Sequence, residues 1–289
     1  MNDSTNVTVE NTVGNYNGGP GLDGYKDLDL LWQNNETDYN NWRGAQVGLY
    51  DFAQGGTKLM RAHTANVIGQ KSYNNAAQGL WFDTDNMNIT VDDAQLVGNL
   101  VGNLQLEANE GPVSVKNSTF CSGGGIQLIN TAGITMSGNV LYNNGGLSFQ
   151  NGQIFLAGNP GGREVTNWQT GQVTNVYTKN ATIENNVIIG VGSSQYVFNT
   201  YLSGNDWSEY INNLTSNSNH WYNASNSTAF GVSSHQTTTF GRACRGRTTT
   251  LSGLRTRAVA VFHLLPIPTS SCWLITPRRT CLATPCPAA

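Results

Sequence analysis

Val113-Ser114-Val115-Lys116-Asn117 runs apolar, small polar, apolar, any residue, then a turn former. The same phrase stands at Val7-Thr8-Val9-Glu10-Asn11, Ile89-Thr90-Val91-Asp92-Asp93, Ile134-Thr135-Met136-Ser137-Gly138 and Ala181-Thr182-Ile183-Glu184-Asn185. Successive copies are 82, 24, 21 and 47 residues apart, the last step being close to two periods, and a weaker copy, Ala65-Asn66-Val67, sits 24 residues before Ile89. A second phrase precedes the first at a steady offset: Leu80-Trp81-Phe82, Leu104-Gln105-Leu106, Ile126-Gln127-Leu128 and Leu147-Ser148-Phe149, spaced by 24, 22 and 21 residues. A third apolar segment follows each turn, as in Val140-Leu141-Tyr142 and Val187-Ile188-Ile189.

Three short strands per 21–24 residues cannot bury an apolar face alone, whereas coils stacked on one another give each strand a parallel neighbour above and below. Strand alternation points Leu80, Phe82, Leu104, Leu106, Ile89 and Val91 inward and Trp81, Gln105 and Thr90 outward. A leucine-rich repeat would add a helical half, and a propeller needs a period of about 40–45. The residue closing each first phrase, Asn11, Asp93, Asn117, Gly138 or Asn185, tolerates a left-handed backbone and is expected to stack as an asparagine ladder.

Composition agrees with a chain that turns often: 37 Asn and 33 Gly, with charged residues only 11%. Composition also breaks near the end. All 18 acidic residues and all Asn precede residue 227, while 241–289 carries seven Arg and four of the five Cys. Residues 1–240 hold eight basic and 18 acidic side chains, net −10, and the remainder is +7. No zinc spacing and no aromatic interleaving make that tail a nucleic-acid arm. It is expected to be a compositionally foreign, frame-shifted or disordered segment that packs poorly on the body. The expected organisation is a helix of coils over 1–200, its irregular end at 201–240, and the tail at 241–289. No stretch approaches the roughly 18 apolar residues of a membrane span. The chain opens directly in a coil, which leaves a sheet edge and suggests a fragment.

The phrases and turn residues of positions 1–230 resemble the right-handed parallel β-helix proteins of the pectate-lyase-like superfamily. The resemblance implies an all-β, right-handed parallel β-helix, and an extracellular or cell-surface protein that meets polysaccharide. The polygalacturonase and pectate-lyase signatures are missing, so no one enzyme family's residues carry over.

The candidate chemistry follows from aligning the second phrase. Asp83 and Glu107 become equivalent positions on adjacent coils, with backbones about 4.8 Å apart. Trp81, Gln105, Gln127 and Ser148 form the neighbouring outward column, and Asp85 is placed opposite Asn109. A flat ring for a sugar, amides for hydroxyls and acids for proton transfer are the parts of a carbohydrate site. Carboxyls about 5 Å apart suit a retaining glycoside hydrolase. The same closeness suits a calcium ion on Asp83, Asp85, Glu107 and Asn109. Lys58, Arg61 and His63 lie on the preceding coil; the resemblance implies Lys58 or Arg61 as the base of a polysaccharide lyase. The alternative is a non-catalytic, adhesin-like or glycan-binding β-helix.

Overall fold

The computed structural model describes residues 1–50, 55–146, 151–202, 204–223, 225–226 and 230–231, together with the backbone of 249–250 and 261–262. The rest of the basic tail lies outside the described residues, as does Ser148.

The strands form three parallel sheets, visited in rotation by each coil. The first contains Thr5–Glu10, Leu28–Gln33, His63–Ile68, Met87–Asp92, Val113–Lys116, Ala132–Ser137, Lys179–Glu184 and Leu214–Asn217. The second runs from Glu36–Asp38 to His220–Tyr222, and the third from Leu22–Tyr25 through Gly55–Met60, Gln78–Asp83, Gly102–Glu107, Ile126–Ile129 and Ile154–Ala157 to Phe230–Gly231. Coils therefore continue past residue 200. The helix Gly204–Asn212, which buries Trp207, Tyr210 and Ile211, lies between Phe198–Thr200 of the third sheet and Leu214–Asn217 of the first.

The core is a set of columns along the stack. Val91, Val115 and Met136 are direct partners on successive coils and each is fully buried. Leu59, Phe82, Leu106, Leu128 and Leu156 make the matching column of the third sheet. Each such side chain contributes roughly 1.5–3 kcal/mol through burial.

Three expectations from spacing change. The 82-residue gap contains two coils, because Leu28–Gln33 pairs both with Thr5–Glu10 and with His63–Ile68. Its Leu30-Leu31-Trp32 has no small polar residue and escapes the motif. The 47-residue step is one coil, since Ile134 pairs directly with Ala181 and the added length forms an antiparallel hairpin, Arg163–Thr166 with Val173–Val176. The strand beside Ile126–Ile129 is Ile154–Ala157, so Phe155, not Ser148, continues the outward column.

The asparagine ladder is also displaced by one position. Asn11, Asn34, Gly69, Asp93, Asn117, Gly138, Asn185 and Ser218 all have positive φ, 52–67°, and turn the corner between the first and second sheets. The buried ladder is made by the residue that follows. The Ser118 backbone N–H donates to Asn139 Oδ1, that of Asn139 to Asn186 Oδ1, and that of Asn186 to Asn219 Oδ1, each at 3.0 Å. A second ladder, Asn40, Asn75, Asn99, Asn103 and Asn144, lines the next corner. These amides supply partners to backbone groups that the turns take out of the sheets.

Candidate functional site

The corner where the third sheet passes to the first departs from this rule. Its positive-φ column reads Lys26, Arg61, Thr84, Ala108 and Asn130, with φ of 56, 58, 53, 53 and 46°. A left-handed backbone costs an L-residue about 1–2 kcal/mol, and Asn or Gly bears it most easily. Lys26, Arg61, Thr84 and Ala108 all depart from that preference, and two of the four are long cations. Four of the eight basic residues of 1–240, Lys26, Lys58, Arg61 and Arg163, gather at this corner or beside it.

Asp83 and Glu107 are paired neighbours on adjacent strands, next to the column Asp23, Lys58, Trp81, Gln105 and Gln127. Each carboxylate has its own cation. Lys58 Nζ lies 2.8 Å from Asp83 Oδ2 and 3.7 Å from the Trp81 ring centroid. Arg163, reaching over from the hairpin, donates to Glu107 Oε1 and, at 3.3 Å, to Thr84 Oγ1. The Thr84 hydroxyl donates to Asp83 Oδ1 at 2.8 Å, and Gln105 Nε2 donates to Glu107 Oε2 at 2.8 Å. Asp23 accepts the Lys58 backbone N–H, yet burial pushes its carboxyl up to about 6 against that bond and the Lys58 charge.

Around the corner, His63 Nε2 meets Asp85 Oδ1 at 3.0 Å, and Nδ1 meets Gln169 Oε1 at 2.6 Å. Burial works against the imidazolium, but bonds to Asp85 and Gln169 and the Asp85 charge outweigh it, so the net shift is upward. The Trp168 backbone N–H donates to Asp85 Oδ2 at 2.8 Å, and its ring lies 5.5 Å from His63 and 6.0 Å from Lys26 Nζ. Glu110 is raised by burial and then by the Asp85 charge. Arg61 Nη1 donates to the Tyr25 hydroxyl at 3.4 Å.

Among the expected site residues, Trp81, Gln105 and Gln127 are buried rather than presented as an open platform, and Lys58, Asp83 and His63 are also buried. Tyr25, Lys26, Arg61, Thr84, Glu107, Arg163 and Trp168 are only half-buried, and Gln169 is exposed. The calcium quartet does not gather. Asp85 turns to His63 and Trp168, while Asn109 belongs to a short ladder in which Asn86 Nδ2 donates to its Oδ1 at 2.7 Å. Asn86, not Asp85, therefore stands opposite Asn109. Among the described residues no three His, Cys, Asp or Glu side chains are grouped to hold a metal ion. The residues present do not fit a calcium site of that composition. Sequence reasoning missed Tyr25, Lys26, Glu110, Arg163, Trp168 and Gln169; the last three stand in an excursion from the repeat, and that break in rhythm was their signal.

No curated protein matches the chain in sequence. Among solved structures, the A-module of Azotobacter vinelandii mannuronan C-5 epimerase AlgE4 is similar, with a TM-score of 0.54 at 18% identity over 74% of this chain and 54% of that one. The AlgE6 A-module from the same organism gives a TM-score of 0.51 at 15% identity, over 80% of this chain and 59% of that one. The chain thus spans little more than half the length of these structures, and likeness at this identity concerns the fold. The family described as "Right handed beta helix region" matches residues 1–159, more than half of the chain, and parallel pairing in three sheets agrees with it; the protein belongs to the right-handed β-helix family.

Proposed function

We propose that this protein modifies an acidic polysaccharide by proton transfer beside a uronate carboxylate, as a lyase or epimerase does. The observation that carries the reading is the half-buried row Lys26, Arg61 and Arg163, held partly at backbone cost in a body of net charge −10. The epimerases similar in fold act, by their name, on mannuronan. A C–H beside a carboxylate becomes acidic only when cations neutralise the charge that develops on the carboxylate, which is the role of Arg61 and Lys26. The Tyr25 hydroxyl group, within hydrogen-bond reach of Arg61, is the group that takes the proton from the carbon beside the carboxylate. In a lyase it passes that proton to the glycosidic oxygen whose bond to the ring breaks, and in an epimerase solvent returns a proton to the opposite face. Lys58, Asp83, His63 and Asp85 are buried and support the corner from beneath, Asp83 through Thr84 to Arg163 and Asp85 through Trp168 to Lys26. A glycosidase would need one carboxyl free to give a proton; here Asp83 and Glu107 are each committed to a cation, which disfavours hydrolysis. Such polymers place the protein outside the cell or at its surface.

The test is incubation with polymannuronate, polygalacturonate and neutral dextran. The expected result is unsaturated-uronate absorbance or solvent-deuterium incorporation with an acidic polymer only. Tyr25→Phe and Arg61→Gln should each reduce the rate by about 100-fold or more. New reducing ends without unsaturation would favour the hydrolase. Retention of an acidic polymer without turnover would favour the glycan-binding alternative, and neither binding nor turnover would overturn the reading.

A further inference from the structure

The corner between the second and third sheets departs from turn chemistry at its first two coils. Its positive-φ column reads Tyr16, Tyr39, Asn74, Gly98, Ser122 and Asn143, with φ of 58, 54, 52, 71, 51 and 56°. Three of the four later coils use Asn or Gly, which suit a left-handed backbone, and one a small Ser; the first two place tyrosines there, where a bulky side chain is strained. Nothing in the core requires them. Tyr16 is 69% exposed and Tyr39 45%, and their rings stack with centroids 5.1 Å apart and planes 5° from parallel.

A third ring joins them. Trp42, 44% exposed, begins the short helix Trp42–Ala45, which buries no residue, and its indole N–H donates to the Tyr16 carbonyl at 3.1 Å. Asn41 anchors that turn from below, donating to the Leu49 and Ala76 carbonyls at 2.8 and 3.0 Å. Arg43, exposed, lies 5.1 Å from the Trp42 ring. Three exposed aromatic rings held by backbone bonds, beside one guanidinium, offer apolar faces to the C–H face of a sugar and a cation to its carboxylate.

We propose that Tyr16, Tyr39, Trp42 and Arg43 form a second, non-catalytic site that binds pyranose rings of an acidic polysaccharide. It is separated from the Tyr25–Arg61 corner by the width of the third sheet, about 20 Å for a six-residue strand. The two sites differ in construction: one gathers cations over buried acids, the other exposes aromatic faces.

The test is affinity electrophoresis of the full chain through gels containing polymannuronate, polygalacturonate or dextran. It is run in the Arg61→Gln background, so that retention does not depend on the corner site. The double variant Tyr16→Asn/Tyr39→Asn installs a residue that other coils use at this position. It should melt no lower than its parent and lose about tenfold in affinity for an acidic polymer. Trp42→Ala should weaken binding comparably, Arg43→Gln should reduce the preference for acidic over neutral polymer, and added polymer should quench Trp42 fluorescence. Undiminished retention of the double and Trp42 variants would overturn the proposal, as would retention of no polymer by the parent. A change in sedimentation with unchanged glycan binding would reassign the rings to self-association. A fall in melting temperature without loss of affinity would make them structural. If the double variant does not fold, Trp42→Ala decides.

Discussion

Asp38 ends a second-sheet strand with 8% of its surface exposed, and its Oδ1 accepts the Tyr73 backbone N–H at 2.9 Å. Burial, opposed by that bond and reinforced by Glu36, pushes its carboxyl from 3.8 up to about 6. A carboxyl raised on folding stabilises fully below its unfolded value and loses that contribution as pH rises through its folded value. Asp38→Asn keeps the acceptor and removes the charge. The variant should therefore be more stable than the parent near pH 7, by roughly 1–2 kcal/mol after allowance for screening, with the gain vanishing near pH 4. Thermal melts across that range check it; an equal gain at both ends would refute the linkage. The same scale shows what sequence conveys. Doublets such as Asn34-Asn35, Asn74-Asn75, Asn143-Asn144 and Asn185-Asn186 announce a corner. The first member bears the left-handed backbone and the second is buried in the ladder. Composition cannot say which amide turns inward, because both tolerate either place. Tyr16, Tyr39 and Lys26 stayed illegible for a different reason, and Arg61, expected as a lyase base, was not expected at a turn: only the observed backbone shows these four in turn positions.

At the scale of elements, the hairpin Arg163–Thr166/Val173–Val176 is an addition to a coil rather than part of one. Val165 and Val176 bury themselves against Ala108, with half-buried Ala132 beside it. The small side chain at position 108 is thus explained by the element lying over it. The strands on either side of the excursion pair without its help, Ile126–Ile129 with Ile154–Ala157 and Ala132–Ser137 with Lys179–Glu184. Replacing residues 161–176 by a short Gly-Ser linker should leave the far-ultraviolet spectrum of the parallel sheets intact. It would also strip Arg163 from Glu107, Gln169 from His63 and Trp168 from Asp85. Turnover of an acidic polymer should fall by about 100-fold, as expected when positioning groups are lost. Turnover at the parent's rate would show that the hairpin only covers the corner. The interruption is legible in the sequence as the run Gly158-Asn159-Pro160-Gly161-Gly162-Arg163, which breaks the repeat. Its pairing is not, because a 47-residue step fits two bare coils as well as one coil carrying a hairpin, and only hydrogen bonding separates them.

Across the whole molecule, stability is carried by contacts between successive coils, so a defect should propagate along the stack by distance in coils. The inward columns were legible in the alternation of Val91, Val115 and Met136, because a period of two leaves no freedom once one face is apolar. Leu106 is fully buried at the middle of its column, paired to Phe82 on one side and Leu128 on the other. Leu106→Ala should cost about 2–5 kcal/mol, the loss of buried methyl groups plus an unfilled cavity. Val9 is half-buried in the strand Thr5–Glu10, whose described parallel partner is Leu28–Gln33. Val9→Ala should cost less than about 1.5 kcal/mol and loosen that coil alone. Hydrogen exchange distinguishes the two patterns. The Leu106 variant should lose protection first in Gln78–Asp83, Gly102–Glu107 and Ile126–Ile129, with Leu214–Asn217 following later. Equal loss everywhere would mean that the stack unfolds as one cooperative block, and the nearest-neighbour description of this β-helix would be abandoned.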